Sequence, residues 1–107
     1  MGNLGFPFFP VHPGELLKEE LECRHISQKS FAAQLGLQYT TLNEILNGKR
    51  PVTTDFALLV EAALGVEPTL LLRMQTSYNV QVAKEDKNFI NRLNEIRKIA
   101  STVRKIE

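Results

Sequence analysis

The sequence predicts an all-α fold: a bundle of five helices, preceded by an extended N-terminal arm and followed by an additional C-terminal amphipathic helix. Apolar residues recur at intervals of three and four along most of the 107-residue chain, which is the spacing of one helix face. Capping residues separate these stripes. Ser27 precedes one stripe, and Gly36 and Gly65 each follow one. No segment shows a convincing period of two, so strands are not expected.

Length and composition favour one domain with an extension at each end. A chain that is 43% hydrophobic and 23% charged is long enough for one core, and 107 residues are too few for two ordinary domains. Near the N-terminus, Phe6, Phe8 and Phe9 stand between glycines and prolines, which forbids a regular helix. We expect an arm at residues 1–11, a helical domain at residues 12–82 and a C-terminal amphipathic helix at residues 83–107.

The first three helices are bounded by residues that start or stop a helix. Helix one begins with Pro13 in its first turn and is expected to end near His25. Helix two follows the N-cap Ser27 and stops at Gly36, which tolerates a positive φ. Helix three is expected over residues 39–46. Their inward stripes are Leu16, Leu17 and Leu21, then Phe31, Ala32 and Leu35, and then Leu42, Ile45 and Leu46.

Two further helices complete the predicted bundle. Thr53 or Thr54 caps the fourth helix and Gly65 closes it. Glu67 and Pro68 open the fifth helix, which is rich in leucine. The residues of the fourth helix expected to face inward are Phe56, Leu59, Val60, Ala63 and Leu64.

The C-terminal helix, expected over residues 86–106, carries an apolar seam. Its residues follow one another at steps of four, three, four and three, which is the a/d spacing of a coiled coil. Such a stripe must be covered, either by folding back onto its own bundle or by meeting a second copy of the chain. Both alternatives stay open from the sequence. The seam consists of Phe89, Leu93, Ile96, Ala100 and Val103.

Composition argues against several classes of protein. The single cysteine, Cys23, excludes an internal disulfide, and with only His12 and His25 beside it the chain lacks a recognisable metal or catalytic motif. We therefore expect no enzyme, no cofactor and no metal, and we interpret His12 as the residue that braces the start of helix one. No run of 18 apolar residues is present, so we expect a cytoplasmic protein without a membrane partner.

Residues 28–47 carry the pattern of a helix-turn-helix. Ala32 stands where two helices approach most closely and only a small side chain fits, and Gly36 stands in the turn. Four apolar residues fix the crossing angle of the second helix on the first. These four are Leu35, Leu37, Leu42 and Ile45.

A helix of this kind reads the major groove of DNA with its outward side chains. Amides pair with adenine, and the methyl group of threonine contacts that of thymine, whereas backbone amides, hydroxyls and cations hold phosphates. We expect Glu44 to face solvent, since phosphates repel a carboxylate. The predicted base contacts are Gln38, Tyr39, Thr40 and Asn43. The predicted contacts to the DNA backbone are Ser27, Gln28, Lys29, Thr41, Asn47, Lys49 and Arg50.

The overall charge is too small to support tight binding by one copy. Thirteen basic residues oppose twelve acidic ones, and cations that neutralise phosphates supply most of the non-specific affinity for DNA. We therefore expect a homodimer that reads two half-sites about 34 Å apart on double-stranded operator DNA.

The sequence from residue 12 to about residue 82 resembles a known family. HPGELLKEEL, LNGKRPVT and a leucine-rich fifth helix that ends in Gln75-x-x-Tyr78 are similar to HigA/VapI-type antitoxins of bacterial toxin-antitoxin systems, within the XRE (Cro/repressor-like) helix-turn-helix family. The resemblance implies a lambda-repressor-like DNA-binding bundle. It also implies that DNA contact falls on Gln28, Gln38, Tyr39, Thr40, Asn43 and Lys49. Family members often have Arg at the position of Tyr39, which changes the expected operator sequence.

The resemblance further implies a function in two parts. Such antitoxins neutralise a small basic HigB/RelE-like toxin that cleaves mRNA, and they repress their own operon. The aromatic arm at residues 6–9 is a candidate for toxin contact. The alternative is a stand-alone XRE-family transcriptional regulator without a toxin partner, which the sequence by itself does not distinguish.

Overall fold

The computed structural model describes residues 11–106, with side chains up to Val103, and this part of the chain consists of six helices. The predicted arm, except for its last residue, lies outside the described residues, as does the candidate toxin contact at residues 6–9. The helices are α1 Pro13–Cys23, α2 Gln28–Leu35, α3 Tyr39–Leu46, α4 Thr54–Leu64, α5 Pro68–Lys84 and α6 Lys87–Ile106.

Local capping explains where the helices begin and end. The Ser27 hydroxyl accepts a hydrogen bond from the backbone N–H of Ser30 at 3.0 Å, so the predicted N-cap of α2 is confirmed. Thr53, and not Thr54, caps α4, because its Oγ1 accepts from the backbone N–H of Phe56 at 3.2 Å. Gly36 ends α2 with a φ of 72°, in the left-handed region that favours glycine.

The core lies where α1 to α5 meet, and it corrects one expected side chain. Leu59 was expected inside but is 38% exposed, whereas Ala57 on the same helix is fully buried. The inward stripe of α4 is centred between Phe56 and Val60, so Leu59 lies at its edge. The core residues are Leu17, Leu21, Phe31, Ala32, Leu42, Ile45, Leu46, Val52, Phe56, Ala57, Val60, Leu64 and Leu71.

The N-terminus of α1 packs tightly against the C-terminal end of α3. A Cβ atom placed on Gly14 would lie 2.1 Å from the carbonyl oxygen of Ile45, so only glycine permits this approach. Before it, the buried His12 is the N-cap of α1, and its Nδ1 accepts from the Gly14 N–H at 2.9 Å. The expected bracing of helix one by His12 is confirmed, and the bracing also fixes α3.

The C-terminal helix α6 does not fold back onto the bundle. It begins after Asp86, whose carboxylate accepts from the N–H groups of Asn88 and Phe89 at 3.0 and 3.2 Å. Its main neighbour among the described helices is α5. Along the seam, Phe89 is 43% and Ile96 55% exposed. Of the two expected ways of covering the seam, folding back onto the bundle leaves these residues exposed, and pairing with a second copy stays a prediction.

Candidate nucleic-acid interface

Helices α2 and α3 form the predicted helix-turn-helix. Ala32 on α2 is 2% exposed, and its carbonyl oxygen accepts from the N–H of Leu37 at 2.9 Å across the turn. Leu42, Ile45 and Leu46 hold one side of α3 in the core. The opposite side of α3 is therefore presented outward.

The outward side of α3 carries the four residues predicted to contact bases. Gln38, Tyr39 and Thr40 are exposed at its start, with half of the Tyr39 side chain accessible. Asn43 lies one turn further along and is half-buried. Thr41, predicted to contact the DNA backbone, is also half-buried. These side chains offer amides, hydroxyls and an aromatic ring on one surface.

A hydrogen bond between helices orients the amide of Asn43. Its Nδ2 donates to Oε1 of Gln28 at 3.0 Å, which joins the first residue of α2 to the middle of α3. The second Nδ2 hydrogen and Oδ1 of Asn43 then provide one donor and one acceptor, the pair that adenine requires. Gln28 keeps its Nε2 donors, which suit a phosphate oxygen.

The predicted phosphate contacts gather beside α3 in two places. At the start of α2, Ser27, Gln28 and Lys29 line a surface groove of about 630 Å³ together with Tyr39. Tyr39 thus borders the residues predicted to contact phosphates as well as those predicted to contact bases. Beyond the end of α3, Lys49 and Arg50 are exposed in the loop that leads to α4.

Two of the predicted phosphate contacts are engaged within the protein. Arg50 forms an ion pair with Glu44, whose side chain is 43% exposed and faces solvent as expected. This pairing lowers the positive charge that Arg50 offers. Asn47 accepts from Nζ of Lys18 at 3.0 Å and donates to the carbonyl oxygen of Asn43 at 2.9 Å. Asn47 therefore connects α1 to the reading helix.

Sequence reasoning missed the residues that hold the loop after α3. The side chain of Gln75 on α5 is 6% exposed, and its Oε1 accepts from the backbone N–H of Val52 at 2.7 Å. The ring of His12 lies against Gly48 and meets the ring of Tyr78 edge to face, with centroids 5.0 Å apart. The sequence signal was the pair of polar residues, Gln75 and Tyr78, on the inward side of a leucine-rich helix.

Burial changes the pKa of the His12 imidazole. Removal from water lowers its pKa below the ordinary value of 6.5. A hydrogen bond with the backbone of Arg50 and the charge of Glu15 act in the opposite direction. The neutral imidazole, whose Nδ1 is free to accept from Gly14, is the form that caps α1.

Two other kinds of site are absent from the described part of the chain. Among residues 11–106, none of the helices is both long and apolar enough to cross a lipid bilayer. Over the same stretch, no three histidine, cysteine, aspartate or glutamate side chains are grouped so as to hold a metal ion.

Comparison with known proteins places the chain in a family. The profile of the helix-turn-helix family HTH_3 matches residues 17–71. Virulence-associated protein I of Dichelobacter nodosus is 37% identical over 82 residues, which are 76% of each chain. The solved structure of an addiction module antidote protein of a HigA family from Coxiella burnetii superposes with a TM-score of 0.71 at 31% identity, and covers 82% of this chain and 95% of that one.

A further relative was solved with DNA. The structure of Pseudomonas aeruginosa antitoxin HigA with the higBA promoter superposes with a TM-score of 0.67 at 27% identity, over 71% of this chain and 84% of that one. The chain therefore belongs to the XRE-type helix-turn-helix family HTH_3, in which its structural relatives include HigA-family antitoxins.

Proposed function

We propose that the protein is a sequence-specific DNA-binding antitoxin that represses its own operon and neutralises a HigB/RelE-like toxin that cleaves mRNA. The observation that carries the DNA-binding part is the outward face of α3. There, polar and aromatic side chains stand clear of the core while Gln28 orients Asn43 from the neighbouring helix. A recognition helix in the major groove requires such a face.

The chemistry of this face suits base edges. Gln38 and Asn43 read adenine through paired donors and acceptors, and the Thr40 methyl group contacts a thymine methyl. Tyr39 reaches either a base or the neighbouring phosphate. The flanking residues position the helix on the sugar-phosphate backbone. They are Ser27, Gln28, Lys29, Thr41, Asn47, Lys49 and Arg50.

A double substitution tests base reading. Gln38→Ala with Asn43→Ala removes two amides from α3, and each good bidentate contact is worth about 1 to 3 kcal/mol of specificity. The matched control, Gln34→Ala with Asn91→Ala, removes the same two chemical groups from exposed positions on α2 and α6. In mobility-shift assays with the chain's own upstream DNA at two salt concentrations, only the first pair of substitutions should weaken binding. Unchanged specific affinity of the first pair would refute the base-contact assignment.

The antitoxin part is supported by the relatives. An antidote protein of a HigA family and an antitoxin HigA solved with the higBA promoter share this fold at 31% and 27% identity. The test is copurification of the chain with the product of a short neighbouring reading frame that encodes a small basic protein. Recovery of an mRNA-cleaving partner supports the antitoxin, whereas DNA binding without such a partner identifies a stand-alone XRE-family regulator.

The proposed function includes a homodimer. The interface described above offers few free cations per copy, because Arg50 is paired with Glu44. Two copies on half-sites about 34 Å apart double the phosphate contacts and read a symmetric operator. Sedimentation of the free chain at tens of micromolar tests this state.

A further inference from the structure

The apolar seam of α6 is a feature of the described residues that the DNA-reading surface does not explain. Among its residues, Phe89, Ile96 and Val103 are 43%, 55% and 48% exposed, and Ile99 beside them is 65% exposed. Only Ile90 and Leu93 on this helix are half-buried among the described side chains. A helix with such a stripe is stable in water only when the stripe is covered.

We propose that the seam pairs with the α6 helix of a second copy in antiparallel orientation. Helical spacing determines which residues would meet. When the two-fold axis passes between Leu93 and Ile96, Leu93 lies opposite the partner's Ile96, and Phe89 lies opposite the partner's Ala100. A large side chain then faces a small one at both ends, which is the complementarity that close packing needs.

The charges beside the seam favour the same arrangement. Arg92 and Arg97 flank the seam on opposite sides, and both are exposed. A parallel pair would bring Arg92 next to the partner's Arg97 twice, which costs energy through like-charge repulsion. In the antiparallel register, Arg92 lies beside the partner's Ile99, and Arg97 beside the partner's Ile90. The aliphatic stem of each arginine then covers an isoleucine while its charge stays in water.

The size of the contact predicts a weak dimer. In this register the paired stretch runs from Phe89 to Ala100 and is about 17 Å long at 1.5 Å per residue. Two helices paired over this length bury less area than a standard interface, which covers about 800 Å² per partner. We therefore expect a dimer that dissociates at micromolar concentrations. Within one chain α6 contacts mainly α5, so the proposed pairing does not use residues of α2 or α3.

Cross-linking through introduced cysteines tests the orientation. On a Cys23→Ser background, Leu93→Cys and Ile96→Cys chains are oxidised separately and as an equal mixture. The antiparallel pair predicts a disulfide mainly in the mixture, because residue 93 faces the partner's residue 96. Efficient cross-linking of either chain by itself would indicate a parallel pair. Lys98→Cys, on the opposite face of α6, is the control that should not cross-link.

Sedimentation tests the surface itself. Ile96→Glu should convert the dimer to a monomer, whereas the control Lys98→Glu places the same charge on the outer face of the same helix and should leave the dimer intact. Circular dichroism checks that both variants remain helical, which is expected because Ile96 packs against little in the free chain. A wild-type monomer at tens of micromolar, or an Ile96→Glu dimer, would overturn the inference.

The contact rests on the homodimer in the proposed function, but its failure is separable from failure of DNA reading. Cross-linking and sedimentation use the full chain without DNA or toxin. If the dimer forms and no operator is bound, the DNA-binding proposal fails by itself. If Ile96→Glu abolishes capture of a toxin while the wild-type chain is monomeric, the seam binds the toxin and the α6 pairing is wrong.

Discussion

At the scale of single residues, the imidazole of His12 joins three parts of the molecule. It caps α1 through Gly14, lies beside Gly48 in the loop after α3, and contacts the ring of Tyr78 on α5. Because the loop after α3 carries Lys49, this one buried side chain connects the core to a proposed phosphate contact. Its cap requires an unprotonated Nδ1.

The protonation of His12 makes stability depend on pH. Burial lowers its pKa below 6.5, so between the lowered value and 6.5 the unfolded chain binds more protons than the folded one. The free energy of unfolding should be highest above pH 6.5, and it should fall as the pH drops from 6.5 through the lowered pKa of His12. His12→Asn keeps an acceptor for the Gly14 N–H without titrating, and should show a smaller loss in acid.

Urea unfolding at a series of pH values on both sides of 6.5 measures this effect. The control is His25→Asn, which removes the exposed histidine from a left-handed position that asparagine tolerates. If His12→Asn keeps the full acid slope, His12 does not cause it.

At the scale of elements, packing against two neighbouring helices positions α3. The small, buried Ala32 lies on α2, which packs against α3, and Gly14 lets the start of α1 touch the end of α3. The hydrogen bond between Gln28 and Asn43 completes the fixed geometry on the outer side. Helix α3 is therefore held near its middle by α2 and at its C-terminal end by α1.

Gly14→Ala should be strongly destabilising. Glycine to alanine within a helix ordinarily stabilises by about 1 kcal/mol, but here the new methyl group would lie 2.1 Å from a backbone oxygen. Overpacking of this kind costs about 1 to 3 kcal/mol or more. The comparison is Gly36→Ala, which meets no atoms but is strained by its positive φ, and should cost about 1 kcal/mol. Chemical denaturation that ranked Gly36→Ala as the more damaging change would contradict this packing.

At the scale of the whole molecule, the distribution of charge should affect DNA binding more than the net charge does. The net charge is +1, yet the candidate interface carries Lys29 and Lys49 while a groove of about 500 Å³ beside α1 is lined by Glu15, Glu19 and Glu22. In that groove the three carboxylates outnumber the one cation, Lys18, whereas Lys29 lines a groove with Tyr39 of α3 and Lys49 follows α3. Binding to DNA should depend on a few local contacts more than on the overall field.

The salt dependence of DNA binding tests this view. Lys49→Ala should weaken binding to all sequences alike and reduce the slope of log affinity against log salt by about 1 for each copy bound. Lys87→Ala removes an exposed lysine at the start of α6 and should leave the slope unchanged. Mobility shifts over a range of salt concentrations supply both slopes, and equal effects of the two variants would show that Lys49 does not contact a phosphate.

The sequence by itself determined the helices, their caps and the outward face of α3. The bounds 39–46 predicted for helix three agree with α3, and the caps at Ser27 and Gly36 were placed correctly. These features depend on residues within one or two helical turns of each other, so the local sequence contains the information. The prediction that Leu59 is buried was wrong because Leu59 lies at the edge of the apolar stripe, where the helical period of 3.6 does not decide burial.

Only the tertiary structure decided how distant residues act together. The pairing of Gln28 with Asn43, the Gly14 contact with Ile45 and the bond from Val52 to Gln75 each join separate elements. Such contacts depend on the approach of whole helices, which no local pattern specifies. The exposed seam of α6 is of the same kind, since a stripe shows that a helix needs a partner and only the fold shows that its own bundle is not that partner.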